Sequence, residues 1–270
     1  MSFYTSLNGM KNAQTSLGVI SHNIANSETY GFKRSRTEFS EIVAGSALAN
    51  PKTIQGIGAT VKAITQNFSL GPVEQTGSAL DLAITGDGFF TTRSASDGST
   101  LYTRAGSFTL GPAGNIIDNG GNRLQVFPVD VNGQVTGNTL SDANLPAQNA
   151  AGADFVGVTI NEVGLVSASY ADGSVEPVGA VALATFFSPA GLKKVGDANW
   201  EGTGLSGQAV YGQAGSGAYG SLLSGALERS NVDIAEELVG LITAQRNFQA
   251  NAKAIDTATQ ISQTVINLRT

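Results

Sequence analysis

The chain contains no cysteine among its 270 residues, and it has a single histidine and a single tryptophan. Without cysteine it can form neither disulfide bonds nor thiolate metal sites. Only 13% of its residues are charged, whereas 34 residues are glycine. Such low charge combined with so much glycine is unusual for a cytosolic enzyme and is more typical of an assembled or extracellular β-rich protein.

The chain also lacks the features that nucleic acids and membranes require. Its net charge of −6 excludes the basic surface on which nucleic-acid binding depends. No apolar run approaches the roughly 20 residues needed to span a bilayer. The N-terminus has no charged segment leading into an apolar core, so we expect no cleaved signal peptide.

Glycine and proline are confined to the middle of the chain. All seven prolines, and all glycines except Gly9, Gly18 and Gly240, lie between Ser27 and Ser230. Because these two residues interrupt helices, the pattern predicts helical ends and a non-helical middle.

The C-terminal stretch from Ser230 to Thr270 predicts a long helix. Asp233 offers an N-cap oxygen, and Glu236 follows three residues later at capping-box spacing. At ~1.5 Å per residue the helix would be roughly 55 Å long. Residues at alternating steps of four and three form a heptad seam. The seam comprises Ile234, Leu238, Leu241, Gln245, Phe248, Ala252, Ile255, Thr259, Ser262 and Ile266.

Residues 3–26 predict a second helix with the same kind of seam. Polar residues interrupt both seams, and such residues weaken a coiled coil but restrict its register and its partners. Ordinary packing of two helices against a core would give the same periodicity, so both interpretations stay open at this point. The N-terminal seam comprises Phe3, Leu7, Met10, Gln14, Leu17, Ser21 and Ile24.

The middle of the chain predicts an antiparallel β domain over residues 76–230, preceded by a connector over residues 28–75 that contains one long strand or hairpin. Asp97-Gly98, Asn132-Gly133 and Asp172-Gly173 are two-residue turn signals between β-type runs. Pro128 marks an edge or a bulge within its run, and residues 136–155 predict a surface loop. The predicted strands are 80–84, 89–93, 101–104, 107–110, 123–131, 156–160, 165–170 and 181–187.

No arrangement of residues predicts catalysis or cofactor binding. His22 is the only imidazole, and no strained Gly-x-Ser-x-Gly turn accompanies it. Residues 215–220 fit the Gly-x-Gly-x-x-Gly pattern, but neither a strand–turn–helix unit nor a following acidic residue frames them as a dinucleotide site. The sequence therefore predicts neither an enzyme nor a cofactor.

Three further candidates have ordinary structural explanations. The segment from Asp130 to Gly133 has its glycine too early for a calcium loop, and it predicts a hairpin turn. Asp81 and Asp87 could form a carboxylate pair, but Asp87 lies between two glycines in a tight turn. Trp200 is more typical of a core or interface anchor than of a sugar platform.

Several segments resemble bacterial flagellar rod and hook proteins. The similarity begins with MSFYTSLNGMKNAQTSLGVISHNIANSETYGFKRSRTEF at the N-terminus. It continues in the same order through ALDLAITGDGFF (79–90), LYTRAGSFTL (101–110), ATFFSPAGL (184–192) and SNVDIAEELVGLITAQRNFQANAKAI (230–255). The opening residues, the NIAN…GFKRSR segment and the run at 244–248 look most like hook members of the family.

The resemblance implies an α+β fold in which residues 1–27 and 231–270 pair as a coiled coil and line the inner tube of a helical assembly. An inserted antiparallel all-β domain forms the outer wall, and subunits leave the cell unfolded through the flagellar export apparatus. Implied partners are further copies of the chain, rod proteins, the hook cap and the hook–filament junction. The implied assembly residues are Phe3, Leu7, Met10, Leu17, Ile24, Asn26, Gly31, Phe32, Ile234, Leu238, Leu241, Gln245, Phe248 and Ile255.

One departure from the family pattern concerns length. Hook proteins usually carry a further outer β domain, whereas only residues 125–180 are available here for a reduced one. The sequence is therefore interpreted as a short hook protein, and the alternative is a rod protein that has a hook-like N-terminus.

Two other classes remain as alternatives. A secreted β-rich enzyme or glycan-binding protein would need convergent polar or aromatic groups in a concave site. A coiled-coil adhesin would need an anchor or a signal sequence.

Overall fold

The structure, a computed structural model, describes residues 2–44 and 55–267. Within these residues, helix α1 (Ser2–Ala25) precedes a series of β-strands along the chain, and helix α2 (Ile234–Asn267) follows them. The strands are β1 (Ser35–Ala44), β2 (Gln55–Gln66), β3 (Val73–Gln75), β4 (Leu82–Thr85), β5 (Phe89–Arg93), β6 (Thr100–Thr103), β7 (Thr109–Leu110), β8 (Ile116–Ile117), β9 (Arg123–Phe127), β10 (Ser141–Asp142), β11 (Phe155–Ile160), β12 (Leu165–Tyr170), β13 (Val175–Thr185), β14 (Lys193–Gly196), β15 (Asn199–Glu201), β16 (Val210–Gln213), β17 (Ser221–Ser224) and β18 (Ala226–Glu228).

The chain divides into two compact units. Unit 1 contains α1, the pair β1 and β2, and α2, whereas unit 2 contains residues 28–33 and 68–231 with strands β3 to β18. The predicted α+β organisation, with helical ends and an antiparallel β middle, is confirmed. Pairing of the helices as a coiled coil stays a prediction.

The β-strands of unit 1 form a long antiparallel hairpin in the region predicted as the connector. Ser35 pairs with Gln66 at one end and Ala44 with Gln55 at the other. Irregularities in the register between Glu38 and Phe39, and between Ile42 and Val43, bend the ladder. The hairpin groups with the helices rather than with the β unit.

Unit 2 is built around an antiparallel sheet whose main path runs β11-β12-β13-β9-β5-β6-β15-β14. Two short pairs, β17 with β4 and β18 with β3, bring the end of the unit back to its beginning. The main apolar core is fully buried, and aromatic rings pack edge-on within it. Its larger members include Leu82, Ile84, Phe90, Phe108, Ile116, Leu124, Val126, Val166, Val181, Leu183 and Leu222.

A second cluster surrounds the single tryptophan. Trp200 is buried and packs edge-on against Phe68 and Phe89, with ring centroids 5.4 and 5.8 Å away. The sequence predicts that Trp200 anchors either a core or an interface. In the structure Trp200 lies in a buried cluster of unit 2.

The predicted turns lie where the sequence placed them. Asp172-Gly173 joins β12 to β13, and Gly173 has a φ of 82°, which glycine adopts without strain. Asp97-Gly98 lies in the loop between the paired strands β5 and β6. Asn132-Gly133 closes a small turn in which Gly133 N donates to Asp130 O at 2.9 Å.

Two strand predictions are too long, and one loop prediction is wrong in part. The run 123–131 ends as a strand at Phe127, directly before Pro128, which has no N–H to donate. The run 107–110 keeps only Thr109 and Leu110. Residues 136–155 are not wholly a surface loop, because Ala143 and Leu145 are buried in the main core.

Neither helix in the described part of the chain combines the length with the apolar character that a membrane crossing requires.

Candidate assembly surface

The two helices of unit 1 pack side by side in opposite directions. Near the end of α1, Asn23 Nδ2 donates to Glu237 Oε2, near the start of α2, at 3.2 Å. Near the start of α1, Gly9 faces Asn251, far along α2. A Cβ at Gly9 would lie 2.5 Å from Asn251 Oδ1, so any larger residue would displace that side chain.

The surface between the helices is made of small and polar residues. Among the helical residues whose burial the structure describes, the buried ones are Ala13 and Asn23 of α1 and Glu237 and Ala244 of α2. A groove of about 530 Å³ runs along this contact and against the hairpin. It is lined by Gly9, Asn12, Ala13, Ser16, Ile20, Phe39, Ala59, Gly240, Thr243, Ala244, Asn247 and Asn251.

The predicted seam residues lie beside this contact rather than at its centre. In α1, Phe3 is exposed, whereas Leu7, Met10, Leu17 and Ile24 are half-buried. The α2 members divide into two groups. Leu241, Phe248 and Ile255 are half-buried, and Ile234, Leu238 and Gln245 are exposed.

A row of large apolar side chains is left uncovered on α2. Ile234, Leu238 and Ile242 follow at steps of four, on one face, and are 43%, 47% and 49% exposed. Ile261, Val265 and Ile266, toward the end of the same helix, are more exposed still. Contiguous exposed apolar surface of this kind marks an interaction site in a soluble protein. We call Ile234, Leu238 and Ile242 the α2 apolar row.

The start of α2 is held by the N-cap that the sequence predicts. Asp233 Oδ1 accepts hydrogen bonds from the backbone N–H groups of Ala235 (2.8 Å) and Glu236 (3.2 Å). The reciprocal half of the capping box is replaced, because both carboxylate oxygens of Glu236 bind the Arg34 guanidinium at 2.8 and 2.9 Å.

A second acidic residue completes this ionic cluster in unit 1. Arg34 Nε lies 2.6 Å from Glu237 Oε1, and the Glu237 side chain is only 2% exposed. Asn23 joins the cluster, since it contacts both Glu237 and the backbone of Ser35. The hydrogen-bonded Glu236 carboxylate raises the pKa of Arg34, so Arg34 stays a cation. The cluster ties the first turn of α2 to the end of α1 and the start of β1.

Three further residues named for the assembly surface have contacts within the single chain, and their role in assembly stays a prediction. Asn26 is half-buried, and its Nδ2 donates to His22 O at 2.8 Å beyond the last turn of α1. Gly31 and Phe32 are buried in unit 2. Gly31 has a φ of 68°, and a Cβ there would lie 2.3 Å from Ala105 N. Lys194 Nζ lies 4.4 Å from the Phe32 ring centroid. Gly31 and Phe32 therefore support the fold of unit 2.

The rejected chemical motifs occupy structural positions. Residues 215–220 connect strands β16 and β17, so a strand rather than a helix comes directly after them. Asp130 Oδ1 accepts from the N–H groups of Asn132 and Gln134, which makes it a turn residue. Asp81 Oδ2 accepts from Thr76 Oγ1 at 2.6 Å. Within residues 2–44 and 55–267, no group of three or more acidic or histidine side chains is placed to hold a metal ion.

Three family models match separate parts of the chain. The model "Flagella basal body rod protein" matches residues 3–33, and "Flagellar hook protein FlgE/F/G D1 domain" matches residues 83–168. The model "Flagellar basal body rod FlgEFG protein C-terminal" matches residues 223–268. These matches cover α1, much of the sheet of unit 2, and α2.

Whole-chain relatives belong to the same group. The chain is 37% identical over 280 positions to the flagellar basal-body rod protein FlgG of Bacillus subtilis, covering 99% of this chain and 98% of the relative. It is 36% identical over 280 positions to the FlgG protein of Caulobacter vibrioides, covering 98% of each. It is 28% identical over 410 positions to the flagellar hook protein FlgE of Escherichia coli, covering all of both.

Proposed function

Because this chain belongs to the family of flagellar rod and hook proteins, which are structural components rather than enzymes, we propose that its copies assemble into the tubular hook of the bacterial flagellum. In this role it is the flexible joint that passes torque from rod to filament. Its proposed partners are further copies of itself, the neighbouring rod, the hook cap, the hook–filament junction and the export apparatus.

The observation that carries the proposal is the α2 apolar row. An isolated subunit leaves Ile234, Leu238 and Ile242 about half exposed, although α1 already packs on another face of α2. Further copies supply the cover that this row lacks. A contact between two different surfaces of identical subunits that does not close on itself builds a helical tube rather than a ring.

Two features support the hook in particular. The first residues and the run from Ala244 to Phe248 resemble hook members of the family. The hook relative also aligns along its whole length, although the alignment of 410 positions requires long gaps in a chain of 270 residues.

The rod is the second candidate, and length favours it. The rod relatives align over 280 positions, with few gaps and with higher identity. A rod subunit would use the same α2 apolar row in a straight tube. The two candidates therefore differ in which segment of the flagellum the chain builds.

Electron microscopy of a strain from which the gene is deleted separates the two. We expect basal bodies with an intact rod and no hook, and we expect the wild-type gene supplied in trans to restore the hook. Basal bodies that end before the distal rod would support the rod candidate instead. Complete flagella in the deletion strain would contradict both.

A further inference from the structure

The polypeptide passes between the two units through three short stretches of unit 2. These are residues 28–33, the residues directly after 68, and the residues directly before 231. Because they carry the covalent connections, these stretches pass force from the helices into unit 2. We call them the junction segments.

One buried carboxylate joins the three junction segments. Glu228 Oε1 accepts hydrogen bonds from Lys33 Nζ at 2.5 Å and from the Gly71 backbone N–H at 2.8 Å. Lys33 Nζ also donates to Ser69 O at 2.8 Å, and Asn231 Nδ2 donates to the same oxygen at 3.1 Å. Residues 28–33, 69–71 and 228–231 therefore belong to a single hydrogen-bonded network within unit 2.

Arg104 fastens this network to the sheet of unit 2. Arg104 Nη1 lies 3.3 Å from Glu228 Oε2, and its Nη2 donates to Gly86 O at 2.9 Å. Its guanidinium also lies 5.3 Å from the ring centroid of Phe89, the first residue of β5. The carboxylate thus links the junction segments to the interior of the unit.

The desolvation penalty of this buried cluster offsets much of the stability that its ion pairs contribute. Lys33, Arg104 and Glu228 are each at most 3% exposed, and both cations contact the same carboxylate. Burial lowers the pKa of Lys33 and of Arg104, and the Glu228 charge opposes both shifts. A buried ion pair is often no more stabilising than apolar residues of the same volume, whereas its hydrogen bonds fix geometry. We therefore expect the cluster to fix the positions of the junction segments rather than to raise the overall stability.

The backbone pairing at the junction is short. Strand β18, which ends at Glu228, pairs with β3 over three residues. Two further backbone bonds extend this ladder, from Arg229 N to Pro72 O and from Gly31 N to Glu228 O, each at 2.8 Å. The Glu228 side chain adds its contacts with Lys33 and Gly71 to these few backbone bonds.

We propose that the Glu228 cluster is a mechanical clamp that holds the junction segments of unit 2 together when force is drawn on the terminal helices. This inference rests on the proposed torque-transmitting function, but the clamp is measurable on the isolated chain. Failure of hook formation in cells would leave the clamp measurement untouched, and the reverse also holds.

Single-molecule pulling on the purified full-length chain tests the clamp. The chain has no cysteine, so introduced thiols are unique attachment points. One handle is the exposed Ser96→Cys in unit 2, and the other is the exposed Ala25→Cys or Ala235→Cys, in α1 or α2. At constant force we expect Glu228→Gln to raise the opening rate of unit 2 roughly 100-fold in both geometries, the scale of losing one buried ionic partner.

Lys33→Met tests whether the effect on the opening rate depends on which helix is pulled. It removes the side-chain bonds from residues 28–33 to Glu228 and Ser69, but it leaves the backbone bond from Gly31 N to Glu228 O. The Arg104–Glu228 pair and the Gly71 hydrogen bond also remain, so the variant is testable if Glu228→Gln does not fold. We expect a large rise in opening rate with the Ala25 handle and a much smaller one with the Ala235 handle. The matched control, Lys193→Met, removes an exposed ion pair with Glu201 and should change neither rate. Unchanged rates for Lys33→Met, or an equal rise in both geometries, would overturn the proposal.

Discussion

The substitution Leu238→Asp is expected to abolish tube formation while leaving the subunit folded. Leu238 is 47% exposed in the single chain, so an aspartate there is solvated and should change stability by about 0.5 kcal/mol or less. In a tube the same position would be covered by another copy. Burying an unpaired polar group costs about 3 kcal/mol or more, and each ~1.4 kcal/mol is a factor of ten in affinity, so the critical concentration should rise roughly 100-fold or more.

Sedimentation and electron microscopy measure assembly, and circular dichroism measures folding of the monomer. Val175→Asp is the matched control, since it places the same charge at an exposed apolar position, at the start of β13 in unit 2. Cells that produce Leu238→Asp should be non-motile and lack the affected segment. Tubes of normal number and length from Leu238→Asp would remove the α2 apolar row from the assembly surface.

The substitution Arg34→Ala is expected to loosen unit 1 without affecting unit 2. It removes the cation that Glu237 contacts at 2.6 Å and leaves that buried carboxylate without its ionic partner. Losing one member of a buried pair costs about 3–5 kcal/mol, and the 29% exposure of the Arg34 side chain places this case at the lower end. The first turn of α2 should then fray, and the far-ultraviolet helical signal should melt at a lower temperature.

A neighbouring arginine provides the control for this prediction. Arg36 is exposed on the same strand, so Arg36→Ala should leave the helical melting temperature close to that of wild type. Tryptophan fluorescence from Trp200, which is buried in unit 2, should report the same unfolding midpoint for both variants. Equal helical melting of Arg34→Ala and wild type would show that the cluster does not anchor α2.

The sequence predicts the helices well because their signals are local. The 3.6-residue periodicity, the Asp233 cap and the confinement of proline to the middle each depend on nearby residues alone. The same holds for the turn at Asp172-Gly173, where a glycine with positive φ is required. These features need no knowledge of distant contacts.

The contact between the helices includes buried residues that periodicity does not select. The heptad rule favours large apolar residues, so it selects Leu238 and neglects the buried Glu237 and Ala244. A signal for the true contact is present, since Gly9 and Ala13, like Gly240 and Ala244, are spaced four apart on one helical face. Small residues at this spacing allow close approach, which hydrophobicity alone does not reveal.

The late strands and the Glu228 cluster depend on distant partners. Strands β16, β17 and β18 lie in a stretch rich in glycine, a residue that is depleted in strands. They exist because they pair with strands far away in the chain, such as β17 with β4. Likewise, Lys33 and Arg34 are adjacent in the sequence, although the first contacts Glu228 and the second contacts Glu236 and Glu237. Charge pattern gives no way to assign these partners.

Thiol accessibility at position 238 tests the central claim most directly. Since the chain has no cysteine, Leu238→Cys carries the sole thiol, and Ser96→Cys in the exposed turn of unit 2 serves as the reference. The two thiols are compared for their rate of reaction with a maleimide, in purified monomer and in isolated hook–basal bodies. We expect both to react in the monomer, and the thiol at position 238 to become strongly protected relative to the reference in the assembled tube. Equal relative reactivity in monomer and tube would contradict assembly through α2.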